Sequence, residues 1–337
     1  MKIGVVIPFY QRESGILPRA LTSIRNQRLP PGIQVDVIVV DDQSPVPAKG
    51  EIAAFSNDGR FRWNHILQTN AGPGAARNKG IDWLKGKDIR YLAFLDSDDE
   101  WRSDHLANAL AALEAGGDFY FSNHSRTGNY NSYFNEDLNV RATLDSIKTL
   151  HLPLNRGGSR IFASGAINHA MLESYLSQTS TVVLRCTTLG DLRFDPELRH
   201  AGEDYMLWIQ LALKGARICI SDDIEVTCGA GINVCHGSYE WDSQDVLMRL
   251  ASEIVFHRKL TKLPLGKART KMMSRFQEYR RLYAYLLLRQ IAKRNVPTRT
   301  GILQVIRHDP LLGIQAPLLI TRFLLQDRRR MALPDSR

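Results

Sequence analysis

Short β-branched runs alternate with stretches of helical spacing through the first 122 residues. Residues 2–7 (KIGVVI) predict a buried strand, and residues 16–27 a helix that places Ile16, Leu17, Leu21 and Ile24 near one face. Residues 34–40 (QVDVIVV) predict a second strand and 64–68 a weaker third. A helix over 74–85, a strand over 91–95, a helix over 103–115 with Ser103 as its N-cap, and a strand over 118–122 complete the series. Strands alternating with helices predict an α/β fold: a mostly parallel sheet covered on both faces.

From 123 to 176 the pattern is irregular and rich in Asn, Ser, Arg and Gly, which predicts a poor core and a substrate-facing insertion. Order returns with a strand over 180–185 (STVVLR), a helix over 203–214 and a strand over 216–220. After 245 the chain reads as helical. The segment 268–294 lines up Met272, Phe276, Tyr279, Tyr283 and Leu286 on one face. The division that follows is a domain over 1–245, which changes character after 122, then a basic helical extension over 246–337.

Charge sharpens that division. Residues 257–337 hold 19 Lys and Arg against 4 Asp and Glu, so a tail of +15 offsets a front of −6 within the net +9. Such a tail suits a polyanionic surface, whether anionic lipid or nucleic acid, and it also suits an ordinary solvated helical face. Residues 310–326 are apolar and are followed by Arg328, Arg329 and Arg330. They read either as a helix lying in a membrane interface or as a terminal helix packed on the catalytic domain. No run approaches the ~18 apolar residues of a spanning helix. The opening run IGVVIPF is too short for a signal-peptide core. The 4 cysteines form no CxxC pair, which points to free thiols in a reducing compartment.

The candidate chemistry lies in four stations: VVIPFYQRE, VIVVDDQS, NAGPGAARNKGI and FLDSDDEW. Three follow predicted strands, and open α/β sheets present ligand groups at the carboxyl ends of their strands. A carboxylate at the end of the second strand can accept hydrogen bonds from a base or ribose. Tyr10 can stack on a base, and Arg77 can neutralise a diphosphate. Asp96 and Asp98 can reach one hard cation and a ribose. Each piece alone has an ordinary reading, as loop solvation, helix capping or a plain turn. Gly72, Gly74 and Gly80 do not have the spacing of a dinucleotide fingerprint.

Taken in order, these motifs and the later HAGEDYMLWIQLA resemble the family-2 glycosyltransferases, over roughly residues 1–122 and 178–222. The resemblance implies a GT-A fold. It implies that Pro8, Tyr10, Glu13, Asp42, Arg77 and Asp96 bind the nucleotide. Asp98 would hold Mn²⁺ or Mg²⁺, joined by His236, unless that histidine is structural. It places the catalytic base on Asp204, with Glu203 beside it on the acceptor side; read alone, this acidic pair would simply cap its helix. Trp101, Tyr239 and Trp241 read either as platforms for an acceptor sugar or as core aromatics. Two departures stand out: Asp191-Leu192-Arg193-Phe194 replaces the Gly-Gly-Phe often seen before the acidic pair, and no QxxRW motif is present. The second argues for adding one sugar per visit.

The resulting expectation is an inverting, metal-dependent transferase taking glucose or galactose from a UDP-sugar. Its acceptor would be a glycan or lipid-linked oligosaccharide at the cytoplasmic face of a bacterial membrane. Two rivals remain. A sugar nucleotidyltransferase would need a Gly-rich, basic loop after the first strand, where PFYQRESG stands. A nucleic-acid-binding protein would use the basic tail, but no recognised binding module accompanies it and the front half is acidic.

Overall fold

The structure is a computed structural model that describes residues 1–151, 159–229, 243–294 and 299–327. The chain forms two compact units. The first is Met1–Pro196 with Leu207–Asn233, and the second is Glu197–Met206 with Val234–Arg337. The second unit thus starts earlier than 246 and also takes a short segment from the middle of the chain. That segment is held within the unit by Glu197, which pairs with Lys259, Arg307 and His308, and by Tyr205 stacked on Phe256.

The first unit contains nine described strands: β1 (Lys2–Phe9), β2 (Gln34–Asp41), β3 (Phe61–Leu67), β4 (Tyr91–Phe94), β5 (Glu100–Trp101), β6 (Phe119–Arg126), β7 (Arg160–Ile161), β8 (Val183–Arg185) and β9 (Ile218–Cys228). They form one sheet in the order β3-β2-β1-β4-β8-β6-β9-β5, with β7 also paired to β9. The β3-β2-β1-β4 half is parallel throughout. β8 runs antiparallel to both β4 and β6, and β6 and β9 are parallel.

Pleat alternation divides the apolar residues of each strand between two cores. Val5, Ile7, Val37 and Val39 face one core, with Leu17, Leu21 and Ile24 of helix Leu17–Arg25 and Leu106 and Leu110 of helix His105–Glu114. Val6, Ile38 and Val40 face the other, with Ala76, Ile81 and Leu84 of helix Pro73–Leu84 and with Leu207 and Trp208. Because both faces are covered, β1 and β2 read as nearly continuous apolar runs. Gly80 lets helix Pro73–Leu84 lie close on β1: a Cβ there would stand 2.4 Å from Val6 Cγ1.

Several sequence expectations change. The segment 123–176 is not a poor core. Tyr133, Phe134, Val140, Leu144, Ile147 and Met171 are buried in the second cluster, carried by helices Tyr133–Glu136, Leu138–Ile147 and Asn168–Glu173. The spacing of Val140, Leu144 and Ile147 is helical, and the Asp137 carboxylate caps that helix by accepting the N–H groups of Asn139 and Val140 at 2.9 Å. Surrounding polar residues diluted this pattern. Ser103 is not the cap of its helix, which starts at His105 with Asp104 in the cap position; the Ser103 carbonyl accepts the Arg28 N–H instead. β9 runs eleven residues, past the end expected at 220: Asp222 and Asp223 interrupt its apolar pattern and fall at a register shift against β6, between Ser122–Ser221 and Asn123–Ile224, after which the pairing resumes. Residues 179–181 form a 3₁₀ turn, so the strand there begins only at Val183. Cys186, Cys219 and Cys228 are free thiols, and Cys235 lies outside the described residues.

His124, on β6, is buried and donates to or accepts from the Tyr130 hydroxyl at 2.9 Å. Burial, with a smaller push from Arg126, lowers its pKa to about 3. The unfolded chain takes up this proton near pH 6.5, so stability is full above that pH and falls as acid is added, until the folded state also protonates near 3. The slope is at most ~1.4 kcal/mol per pH unit. Denaturant unfolding between pH 7 and 4 should show a shallower acid loss in His124→Phe than in the parent. Parallel curves for the two proteins would remove His124 as a cause.

In the second unit, helices Gln244–Leu260, Arg269–Ala292, Arg299–His308 and Leu311–Arg322 enclose their own core. The expected stripe is observed: Met272, Phe276, Tyr283 and Leu286 are buried, and Tyr279 packs against them. A buried Arg280–Asp309 ion pair (2.6 Å) ties helix Arg269–Ala292 to the turn before Leu311. Among the described residues, no helix is long and apolar enough to cross a membrane.

Candidate active site

Because β1, β2 and β4 are parallel neighbours, their carboxyl ends share one edge of the sheet. That edge delivers three of the four sequence stations. Pro8 and Tyr10 are half-buried there and Glu13 is exposed. Gln11 is fully buried, and its side-chain amide donates to Ser97 Oγ at 2.8 Å, joining the first station to the acidic run.

The two aspartates that end β2 shape backbone. Asp41 accepts the N–H groups of Ser44 (2.7 Å) and Ala48 (2.9 Å), which folds the loop after β2. Asp42 accepts from Gln68 Nε2 (2.7 Å) and from the N–H groups of Ala71 and Gly72 (both 2.8 Å). Gly72 has φ +90°, a conformation glycine adopts without strain, and Pro73 starts the helix immediately after it. Asp42 therefore cinches the Gly-rich turn, and three of its roughly four acceptor positions are taken by that work.

Arg77 rises from this helix, is buried, and donates through Nη2 to Asp96 Oδ1 at 2.7 Å. Its guanidinium lies 5.3 Å from the centre of the Phe194 ring. Two expected nucleotide residues are thus brought together. Asp96 keeps 28% of its side chain exposed while Arg77 keeps 5%, so the cation is fixed and the carboxylate remains reachable.

The DSDD run is pinned from behind by residues that the sequence reading missed. Ser180 Oγ accepts the Asp96 N–H (2.9 Å) and donates to Asp99 Oδ2 (2.5 Å). Gln178 Nε2 reaches the same Asp99 oxygen at 3.2 Å, and the Gly229 N–H reaches the other at 2.8 Å. Asp99 is buried, and desolvation together with the charges of Asp96 and Asp98 raises its pKa to about 7. Gly229 is required by contact, since a Cβ there would lie 2.5 Å from the Asp98 carbonyl oxygen and 2.7 Å from Asp98 Oδ2. Asp98 itself is half-exposed. The signal for this support was the polar run QTST directly before an apolar strand: Gln178, Thr179, Ser180 and Thr181 are all buried.

Trp101 is a core aromatic and not an acceptor platform. It is 4% exposed, donates its indole N–H to the Ser180 carbonyl at 2.6 Å and packs on His105. Glu203 and Asp204 occupy the first turn of helix Glu203–Leu213, and Asp204 Oδ1 accepts the Tyr205 N–H at 2.6 Å. His236, Tyr239 and Trp241 lie outside the described residues.

Among the described residues, no three His, Cys, Asp or Glu side chains form a ready-made cation cage. The accessible donors at the sheet edge are the hard carboxylate oxygens of Asp96 and Asp98. That set fits a divalent ion that completes its shell with substrate phosphates and water, as Mg²⁺ commonly does.

The chain matches the profile of Glycosyl transferase family 2 over residues 4–175. It is 31% identical over 333 residues to the succinoglycan biosynthesis protein ExoW of Rhizobium meliloti, covering 95% of this chain and 98% of that one. S. aureus TarS 1-349, solved in complex with UDP-GlcNAc, superposes with a TM-score of 0.55 at 20% identity, over 94% of this chain and 81% of that one. The mannosyltransferase PcManGT of Pyrobaculum calidifontis, solved with GDP-Man and Mn²⁺, gives 0.54 at 15% identity, over 97% and 87%. These two likenesses concern the fold. The chain belongs to glycosyl transferase family 2 and has the GT-A architecture. It is a glycosyltransferase, which sets aside the nucleotidyltransferase reading.

Proposed function

We propose that the chain transfers a hexose, glucose or galactose, from a UDP-sugar to a growing glycan or lipid-linked oligosaccharide in exopolysaccharide assembly, with inversion at the anomeric carbon. The observation that carries this reading is the pinned acidic run. Asp99 is held by Ser180, Gln178 and Gly229, Asp96 is held by Arg77, and Asp96 and Asp98 are both half-exposed at the sheet edge. The roles of ExoW in succinoglycan synthesis and of UDP-GlcNAc in the TarS complex support the pathway class and the donor class.

Tyr10 and Pro8 contribute an apolar wall for a base, and Arg77 a fixed cation facing the diphosphate region. Asp96 offers its remaining acceptor capacity to a ribose. Asp98 would hold Mn²⁺ or Mg²⁺, which when bound would neutralise charge on the departing diphosphate. In the transfer itself an acceptor hydroxyl oxygen bonds to the anomeric carbon. The bond from that carbon to the diphosphate oxygen breaks, UDP leaves with the electron pair, and the hydroxyl proton passes to Asp204. The transition state has oxocarbenium character. The basic tail over 257–337 motivates placing this work at the cytoplasmic face of a membrane, where a lipid-linked acceptor and a nucleotide-sugar donor would meet.

The test is a donor screen. Purified protein with Mn²⁺ or Mg²⁺ is offered a panel of nucleotide sugars, and slow nucleotide release is read. Release of UDP from UDP-glucose or UDP-galactose, suppressed by a chelator, is the expected result. Release only from GDP- or dTDP-sugars would overturn the donor assignment.

A further inference from the structure

We propose that the outward faces of helices Arg299–His308 and Leu311–Arg322 seat this chain on an anionic lipid surface. The proposal rests on the reading above only in assuming that the acceptor is membrane-borne; the observations that carry it belong to the second unit alone.

Large apolar side chains left in solvent are concentrated there. Among the described residues, nine of thirteen such exposed side chains fall between Leu288 and Leu325. On helix Leu311–Arg322, Leu311 (53% exposed), Ile314 (80%) and Leu318 (54%) follow the i, i+3, i+7 spacing of a single stripe. Leu312 and Leu319, about a third of a turn away, point into the core of the unit. The helix is therefore apolar on two sides, and its own chain covers one of them. Pro317 and the length of twelve residues exclude a spanning role. Helix Arg299–His308 repeats the arrangement. Val305 and Gly301 are buried, while Leu303 and Ile306 stand 63% and 53% exposed on the opposite side.

Charge selects the occupant. Arg299 and Arg307 share the outward side of the first helix with Leu303 and Ile306, and Arg322 lies four residues after Leu318 on the stripe of the second. All three arginines are exposed. Between residues 279 and 326 the sequence has one carboxylate, Asp309, and it is buried against Arg280. An exposed apolar stripe flanked by cations, with the nearby carboxylate from elsewhere in the unit, Glu197, already paired to Lys259 and Arg307, is the composition of an interfacial helix on anionic lipid. A second copy of this chain is a poorer occupant, because a two-fold contact would bring like-charged arginines together.

The experiment is sedimentation of the full chain with phosphatidylglycerol-containing vesicles and with pure phosphatidylcholine vesicles, alongside donor hydrolysis and sedimentation velocity. The parent should pellet at least tenfold more with the anionic vesicles. Leu311→Ser/Ile314→Ser/Leu318→Ser should lose that binding at least tenfold while keeping donor hydrolysis. Arg299→Gln/Arg322→Gln should weaken binding and flatten its salt dependence. Three results would each overturn the proposal: parent protein left in the supernatant with anionic vesicles, equal pelleting on both vesicle types, or serine substitutions that turn a dimer into a monomer without changing vesicle binding. Loss of donor hydrolysis in every protein with vesicle binding intact would instead count against the proposed transfer reaction.

Discussion

Asp98→Ala is expected to lower nucleotide release from the donor by about 10³-fold, with the protein still folded. Losing one preorganised group that stabilises developing charge commonly costs ~10²–10³ in turnover. Asp98 would also be the carboxylate that fixes the ion on the leaving diphosphate. Its half-exposed side chain makes the substitution mild for folding. Asp99 differs: it is buried and bonded to Ser180, Gln178 and Gly229, so its removal disturbs the whole run. Unfolding curves should therefore separate the two positions, with Asp98→Ala close to the parent. Turnover of Asp98→Ala within threefold of the parent would place the essential acidic group elsewhere.

The second large effect is expected at Asp204. Asp204→Asn keeps the shape and the bond to the Tyr205 N–H but cannot take a proton from an acceptor. General-base catalysis contributes ~10²–10⁴, and the loss should fall in that range. It should appear in kcat, with donor binding unchanged, because the base acts on the acceptor oxygen. A variant whose loss lies entirely in donor KM would show that Asp204 holds the donor and is not the base.

The sequence made the parallel half of the sheet readable because β1 and β2 are buried on both faces and leave nearly continuous apolar runs, broken in β2 only by Asp36. It also placed Asp96 and Asp98 after β4 and Arg77 on the helix after the Gly-rich turn, and the structure joins Asp96 to Arg77. What stayed hidden is tertiary. Ser180, Gln178 and Gly229 are ordinary residues until the chain brings them 79 to 130 positions back onto Asp99. Trp101 was ambiguous because an aromatic beside an acidic run serves a core as well as a sugar, and only its burial and its bond to the Ser180 carbonyl decide. Asp42 was expected at the nucleotide, and its bonds to Ala71 and Gly72 show a scaffold duty that a strand-end aspartate does not announce. In β9, Asp222 and Asp223 fall at a register shift against β6, so the second half of the strand was cut off from the apolar run before it.

The acidic run after β4 is expected to receive a metal-bound nucleoside diphosphate. The most direct measurement is diffraction at the manganese edge from crystals grown with UDP and Mn²⁺. One strong anomalous peak is expected within coordination distance of an Asp98 carboxylate oxygen and of the diphosphate, with the base beside Tyr10. A diphosphate bound away from Asp96 and Asp98, or bound there with no manganese signal, would contradict that expectation.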